Sequence, residues 1–300
     1  MIDLIDTRLL TFLTLLEEKN YTKTANRLYI TQPAVTHHIK SLEKDLNITL
    51  FKDNKSFDLT NSGILLKEYA LAAKSQYSQF QNAISKQDTH TKINLAFTPF
   101  SIKCMINQHI KDVLYSNRIK INTYVKDYKD IIEMLTMGSL DFAIIDEPFD
   151  SSIFESFALS TTDIILVCNP NGQYSKKNRV TREEFSKSVL VLGDENSGLY
   201  KDSIQAFSNK NIKINNNSII YSNDIDCMKE IILSFDGIGI VYQDAFLKEL
   251  EAGSLKKIEM LNFKATQNIY IIYNRNAFLD DDVRKLIDLI YRKYSVIQND

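Results

Sequence analysis

The run Thr31-Gln32-Pro33-Ala34-Val35-Thr36-His37 places polar and small side chains on one side of a periodic pattern and apolar ones on the other. A glutamine carries a donor and an acceptor side by side and can pair with adenine through both; a threonine hydroxyl serves as either; a small alanine allows close approach to a thymine methyl. Gln32, Thr36, His37 and Lys40 share the hydrophilic side, while Val35, Ile39, Leu42 and Leu46 repeat at i, i+4, i+7 and i+11. That repeat is the stripe of a helix facing a core. Pro33 fits a first helical turn, where its missing N–H would have no intrahelical partner. The helix is therefore expected to begin at Thr31 or Gln32, with free amides and the positive end of its dipole available to a phosphate. The hydrophilic side has the chemistry to read DNA, although a merely solvated helix face looks the same.

A second set of residues lies later in the chain. Thr98-Pro99-Phe100-Ser101 follows a strand-like run and offers a capping hydroxyl, a first-turn proline and free amides, a seat for a carboxylate or oxyanion. The loop Glu195-Asn196-Ser197-Gly198 precedes another helical pattern and is placed to supply a facing half; ordinary helix caps would read identically. Asp127, Asp146 and Glu147 follow strand-like runs, the positions where open α/β sheets bind ligands. Uncompensated carboxylates there repel a purely anionic ligand, so the expected ligand has a cationic or hydrogen-bond-donating part, as an amino acid has. No GxSxG, HExxH, P-loop or GxGxxG pattern occurs in a suitable context, and no enzyme is expected. Cys104, Cys168 and Cys227 are far apart and read as buried reduced thiols. His37 and His38 are helical neighbours that point about 100° apart and cannot chelate from one face. His90 and His109 have no motif partners. Neither a metal nor a cofactor is expected.

These side chains need elements to hold them. Ile5, Leu9, Phe12, Leu13 and Leu16 predict a first amphipathic helix, closed by "EEKN". Thr22 is placed to cap a short second helix, in which Ala25 is small enough for another helix to cross. Past the third helix, "KDNKSFDLT" has a turn-rich centre flanked by Phe57 and Leu59 and reads as a two-stranded wing with Lys52 and Lys55 near phosphates. From Thr60 to about Gln87 there is no proline, and Leu66, Tyr69, Ala73, Gln76, Phe80 and Ala83 repeat at 3 and 4 spacing. This is the seam of paired helices, unless it packs on its own domain. After a polar break at Gln87–Thr91 come "INLAF", a helix from about Phe100 to Leu114, "IKINTYV", a helix from about Tyr128 to Met137, and "LDFAII". The pattern restarts with "IILVC" at Ile164, "SVLVLG", a helix near Tyr200 to Ser208, "NSIIYS", a helix near Ile225 to Ser234, and "GIGIVY". "NIYIIYN" and a helix from Asp280 to Tyr294 come last. Such alternation predicts parallel α/β architecture in two successive subdomains.

Composition agrees with a small module followed by a larger one. A chain of 300 residues with 44% hydrophobic and 25% charged residues, 8 Gly and 4 Pro is globular, neither disordered nor fibrous. "MIDLIDTRLL" is no secretory signal and no apolar run approaches the roughly 20 residues that span a bilayer, so a cytoplasmic protein is expected. Lys19, Lys23, Arg27, Lys40, Lys44, Lys52 and Lys55 against Glu43, Asp45 and Asp53 give residues 19–55 a local charge of +4, in a chain whose net charge is -2. That is where a nucleic-acid footprint would lie.

Ala25, Leu28, "TQPAVT" from Thr31 to Thr36, Ile39, Leu42-Glu43, Leu50-Phe51 and "LTNSG" from Leu59 to Gly63 together resemble the LysR-type transcriptional regulators across residues 4 to 65. "MGSLDFAII" and "DGIGIVYQDAF" match landmarks of the same family more loosely. His37-His38 departs from it, since the family often has a basic or amide residue there, and this bears on the operator sequence. The resemblance implies a multi-domain chain: an N-terminal all-α winged helix-turn-helix (1–65), a long linker helix (66–89), and an α/β effector-binding domain (90–300) of two Rossmann-like subdomains, similar to periplasmic binding proteins. Subdomain I would span about 91–161 and 268–300, and subdomain II about 162–267. Linker helices would pair antiparallel in a homodimer or homotetramer through Leu66, Tyr69, Ala73 and Phe80. Two-fold pairing predicts an inverted-repeat operator in double-stranded DNA. On this reading Thr22, Thr31, Gln32, Pro33, Ala34, Thr36, His37, Lys40, Lys52 and Lys55 face DNA. Thr98, Pro99, Phe100, Ser101, Asp127, Asp146, Asn196 and Ser197 face a small-molecule effector that shifts the balance between two tetramer arrangements. The alternative is a cytoplasmic small-molecule-binding protein whose N-terminal module serves assembly instead of DNA binding.

Overall fold

A computed structural model of the chain describes residues 5–53, 57–84, 92–106, 120–212, 214, 218–261, 263–277 and 279–297. Lys55, the break at 87–91 with His90, His109 and the helix expected beyond Ile106, and Asn217 of "NSIIYS" lie outside these residues.

Three helices come first: α1 (Thr7–Glu18), α2 (Tyr21–Leu28) and α3 (Gln32–Leu46). Asp6, Asn20 and Thr31 cap their starts by accepting from the backbone N–H of Arg8, Lys23 and Ala34. Lys19, Tyr29 and Asn47 end them in the left-handed region at φ 48°, 55° and 53°. These caps satisfy the amides and carbonyls that helix ends leave over. Asn20, not Thr22, caps α2: its amide oxygen lies 3.0 Å from Lys23 N, whereas Thr22 already sits in the helical turn and is exposed. Phe12, Leu13, Leu15, Ile39, Leu42, Leu50 and Phe51 form one core, joined on α3 by the fully buried Val35. Leu46, expected on the same stripe, is 48% exposed, because α3 ends there.

The expected wing is, among the described residues, a single antiparallel bridge between Phe51 and Leu59, with Phe57 edge-on to Phe51 at 6.0 Å. Glu43 Oε1 accepts from Leu50 N at 2.8 Å, fixing the end of α3 to the start of the wing. Thr60 closes the other side, its hydroxyl donating to Thr49 O (2.5 Å) and accepting from Gly63 N (3.0 Å) as α4 (Asn61–Ile84) begins. A Cβ at Gly63 would come 2.2 Å from Leu50 O, so this crossing of helix and wing requires glycine. On α4, Leu66 is buried in the three-helix core and Gln76 donates to Asn276 O at 3.1 Å, so neither belongs to a free seam. Among the described side chains of α4, Ile64, Leu65, Tyr69 and Phe80 are the large apolar ones that stay exposed; Ala73 is half-buried, and Ala83 lies outside the described side chains.

The later elements are β1 (Lys92–Phe97), α5 (Pro99–Ile106), β2 (Lys120–Val125), α6 (Tyr128–Thr136), β3 (Phe142–Ile145), β4 (Phe154–Cys168), β5 (Arg179–Val180), α7 (Arg182–Lys187) and β6 (Leu190–Leu192). They continue with α8 (Gly198–Asn209), β7 (Ile219–Tyr221), α9 (Ile225–Ser234), β8 (Ile238–Tyr242), α10 (Leu247–Glu251), β9 (Lys256–Met260), β10 (Ala265–Asn274) and α11 (Asp281–Ile297). The strands run in the order β2-β1-β3-β10-β4-β8-β6-β7, with β9 beside β4 and β5. β2-β1-β3 and β8-β6-β7 are parallel blades, the two predicted subdomain cores. β4 and β10 join them by antiparallel pairing from Phe154↔Asn274 to Ile164↔Ala265, and β10 also pairs antiparallel with β3, so the sheet is mixed. β4 starts ten residues before the expected Ile164. Its first part is only partly buried and contains Ser156, Ser160 and Thr161; the ladder with β10, not an apolar run, makes it a strand.

Cys104 and Cys168 are buried as expected, but Cys227 is exposed: Ile225, Met228 and Ile232 take the inward side of α9 and leave it outside. No helix among the described residues is long and apolar enough to cross a membrane. The chain divides into two compact units: the N-terminal helices with the short segments Glu133–Ser139 and Asn276–Asp280, and the remainder.

Candidate functional site

At the front of α3, Thr31, Gln32, Pro33, His37 and Lys40 are exposed and Ala34 and Thr36 half-buried. Thr31 Oγ1 accepts from Ala34 N at 3.3 Å, and Gln32 Nε2 donates to Thr36 Oγ1 at 3.2 Å, so Gln32 and Thr36 are held together on one turn. The adjacent histidines separate: His38 Nδ1 lies 2.9 Å from Thr11 Oγ1 against α1, whereas His37 faces outward. Basic charge is divided too. Arg8 is held by Asp6 and Asp45, and Arg27 by Glu17 and Glu18, while Lys19, Lys23, Lys40, Lys44 and Lys52 are exposed. Tyr29, 96% exposed in the turn between α2 and α3, was not singled out from sequence; an aromatic residue two positions before a capping threonine is the signal that could have found it.

The second site assembles at the end of β3, which delivers Asp146 and Glu147 into the interior at 1% and 5% exposure. Thr98 donates its hydroxyl to Asp146 Oδ1, and Ser101 donates to Ile144 O at 2.7 Å. The Thr98 hydroxyl of the expected anion seat is thus taken by the chain's own carboxylate. Pro99 is half-buried, and Phe100 packs edge-on against Tyr242 at 5.7 Å. On the facing side Ser197 caps α8, accepting from Tyr200 N (3.2 Å) and donating to Asp194 O (2.6 Å). Asn196 is exposed and bound to Asp194, and Asp127 stands exposed at the head of α6. The first turn of α8 meets the end of β3 so closely that a Cβ at Gly198 would lie 2.5 Å from Asp146 O. Gly198 N donates to Glu147 Oε1 at 3.4 Å, and Gln267 Nε2 to Asp146 O at 2.5 Å.

Asp202 and Tyr242 complete the group. Asp146 Oδ2, Glu147 Oε2, Asp202 Oδ2 and Tyr242 Oη are all buried without a hydrogen-bond partner. Burial pushes Asp146 and Glu147 above the ordinary carboxylate range, and the charge of Asp146 pushes Glu147 further. Burial, then Asp146, raises Asp202 to about 6, with Lys201 opposing. Tyr242 is raised by burial and by the charge of Asp146. Sequence reading had placed Gly198 on the facing loop but had not named Asp202, Tyr242 or Gln267 for this site. Asp202 was findable as the residue one turn after Gly198 on the same helix face; Gln267 left no local signal.

Residues 7–64 match the family model of the bacterial regulatory helix-turn-helix protein, lysR family, and residues 114–295 match the LysR substrate binding domain. An HTH-type transcriptional regulator of the lacR 5′ region in Staphylococcus xylosus is 21% identical over 277 residues, covering 91% of this chain and 96% of that one. The crystal structure of ArgP from Mycobacterium tuberculosis superposes with a TM-score of 0.74 at 16% identity, covering 98% of each chain. Full-length LysG from Corynebacterium glutamicum, solved with its effector arginine, gives 0.67 at 14%, covering 96% of this chain and 97% of that one. At such identities the structural likeness shows the fold. With the substrate-binding model spanning more than half of the chain and the helix-turn-helix model preceding it, the chain belongs to the LysR family of DNA-binding transcriptional regulators, which are not enzymes.

Proposed function

We propose that the protein binds an inverted-repeat operator as a homodimer or homotetramer, and that a small amino-acid-like molecule held between the two sheet blades of the larger unit modulates that binding. Thr31, Gln32, Ala34, Thr36 and His37 read base edges, Pro33 shapes the approach, and Thr22, Lys40, Lys52 and Lys55 meet phosphates. The observation that carries this reading is the division of α3: Val35, Ile39 and Leu42 are buried while the polar front turn is exposed. A helix anchored by one face and open on the other is what a major groove accepts. Tyr69 and Phe80, beside Ala73, are the exposed apolar contacts through which two copies pair; Leu66 supports them from within the core. Thr98, Pro99, Phe100, Ser101, Asn196 and Ser197 shape the effector walls, Asp146 supplies charge, and Asp127 stands at the rim. The arginine held by LysG supports an effector of this type.

A gel-shift assay with promoter fragments at two salt concentrations tests the reading. A specific complex that weakens as salt rises is expected, with the salt slope about one unit shallower for Lys52→Ala. Failure of every promoter fragment to form a specific complex would reject operator binding. Indifference of that complex to all small molecules tried would reject effector control.

A further inference from the structure

We propose that Asp146, Glu147 and Asp202 form a socket for one organic ammonium or guanidinium group, that protons occupy the socket when the ligand is absent, and that binding expels them. The inference rests on the reading above, that the larger unit takes a small-molecule effector, and it specifies which chemical group is recognised and how binding depends on pH.

The socket is built from three elements of one unit. β3 ends in Asp146 and Glu147, α8 brings Gly198 and Asp202, and β8 ends in Tyr242. One oxygen of each carboxyl, Asp146 Oδ2, Glu147 Oε2 and Asp202 Oδ2, is sealed from water without a hydrogen bond of ordinary geometry, although Tyr242 and Glu147 stand close enough to Asp146 to act on it through their side chains. Buried polar atoms are rarely left in this state, because desolvation without a hydrogen bond is costly. A ligand that replaces the protons must donate, since the carboxylates left ionised only accept. An ammonium carries three N–H donors and a guanidinium five, and either is a charge-assisted partner for such oxygens. An anion would add a fourth like charge.

The groups acting on the three carboxyls come from each neighbouring element. Thr98 already satisfies Asp146 Oδ1, and the Gly198 amide reaches Glu147 Oε1. Tyr242 and Cys104 lie within the field of Asp146, Tyr128 within that of Glu147, and Asp244 acts on Cys104. Lys201, whose side chain is exposed, acts on Glu147 and Asp202 without reaching a bond to either. Negative charge therefore exceeds positive charge at the socket, and carboxyls so placed retain protons until a cation replaces them. Access requires the first turn of α8 to part from β3, at the contact where Gly198 meets Asp146 O.

Isothermal titration of the full chain with L-arginine and with putrescine, and with succinate as the anionic comparison, tests this at about pH 6 and about pH 9 in buffers of different ionisation heat. Expected are cation binding, proton release, and an affinity rising up to about tenfold per pH unit for each proton expelled. Glu147→Gln mimics the protonated side chain and should fold, yet weaken the cation and flatten the pH slope. Asp202→Asn, at a less buried position, should do the same to a smaller extent. Cation binding without proton release, or unchanged in both variants, overturns the proposal. If succinate binds and alters operator affinity while neither cation binds, the socket is rejected and effector control stands. If no probe binds and operator affinity responds to none, the socket is rejected and effector control loses its support as well.

Discussion

Two short stretches of similar composition meet opposite fates. Thr31-Gln32-Pro33 and Thr98-Pro99-Phe100 each set a threonine and a proline at the start of a helix, with the same promise of free amides. At α3 the threonine caps its own helix and the turn stays open to solvent. At α5 the threonine is fully buried and bonds to Asp146, so the same kind of turn meets a carboxylate of its own chain. A threonine-proline start announces a helix; the group that meets the threonine hydroxyl decides whether a ligand is welcome. The open turn needs no compensation for desolvation, and the sealed one holds several acids at the expense of stability.

The largest test of this contrast is pH. Asp146, Glu147 and Asp202 have pKa values above their ordinary ones in the folded chain, so the folded state holds more protons than the unfolded state as pH rises past about 4. Stability must then fall with rising pH, through about 6 where Asp202 titrates and onward as the Asp146–Glu147 pair loses its proton. Each retained proton contributes at most about 1.4 kcal/mol per pH unit. Thermal unfolding of the full chain, with hydrogen exchange of β3 and α8 peptides, should show the loss there and not in α3. Glu147→Gln should flatten the dependence. A stability that climbs steadily from about pH 5 to about pH 8 would contradict the buried acids.

Next in size is Thr98→Val, which keeps the shape and deletes the donor to Asp146. Leaving that oxygen unpaired costs about 1–3 kcal/mol, less at low pH, where a protonated Asp146 tolerates the loss better. Equal denaturation midpoints for the variant and the parent at about pH 8 would show that the bond contributes nothing.

Legibility follows the range of the interactions. Thr31, Pro33 and the stripe Val35, Ile39, Leu42 were readable because capping and helical spacing are local. Asp146 and Glu147 were readable as strand ends, but their company was not: Gln267 reaches Asp146 across 121 residues of chain, and Asp202 arrives on a helix of the other blade. Spacing names a helix side without naming its neighbour, which is why Leu66 was placed on the pairing seam and not in the core. The same limit hid the first half of β4, whose strand character comes from β10.

On the open side, Gln32→Ala should relax base preference at one operator position by about 1–3 kcal/mol and leave unfolding unchanged, because the side chain is exposed. Binding to scrambled DNA, measured beside the operator, checks this. An equal loss on both would move Gln32 from base reading to phosphate contact.

The smallest effect separates the two threonines most directly. Thr31→Ala removes the hydroxyl that accepts from Ala34 N and should cost about 1 kcal/mol, the ordinary value of an N-cap. Thr31 does not titrate and meets no carboxylate in the bonds it makes, so this loss should be the same at about pH 5 and about pH 8, unlike that of Thr98→Val. Melting of both variants at the two pH values measures the difference. Were the Thr31 loss to vary with pH as the Thr98 loss does, α3 would share the acid-linked energetics of the larger unit, and the two helix starts would no longer be opposites.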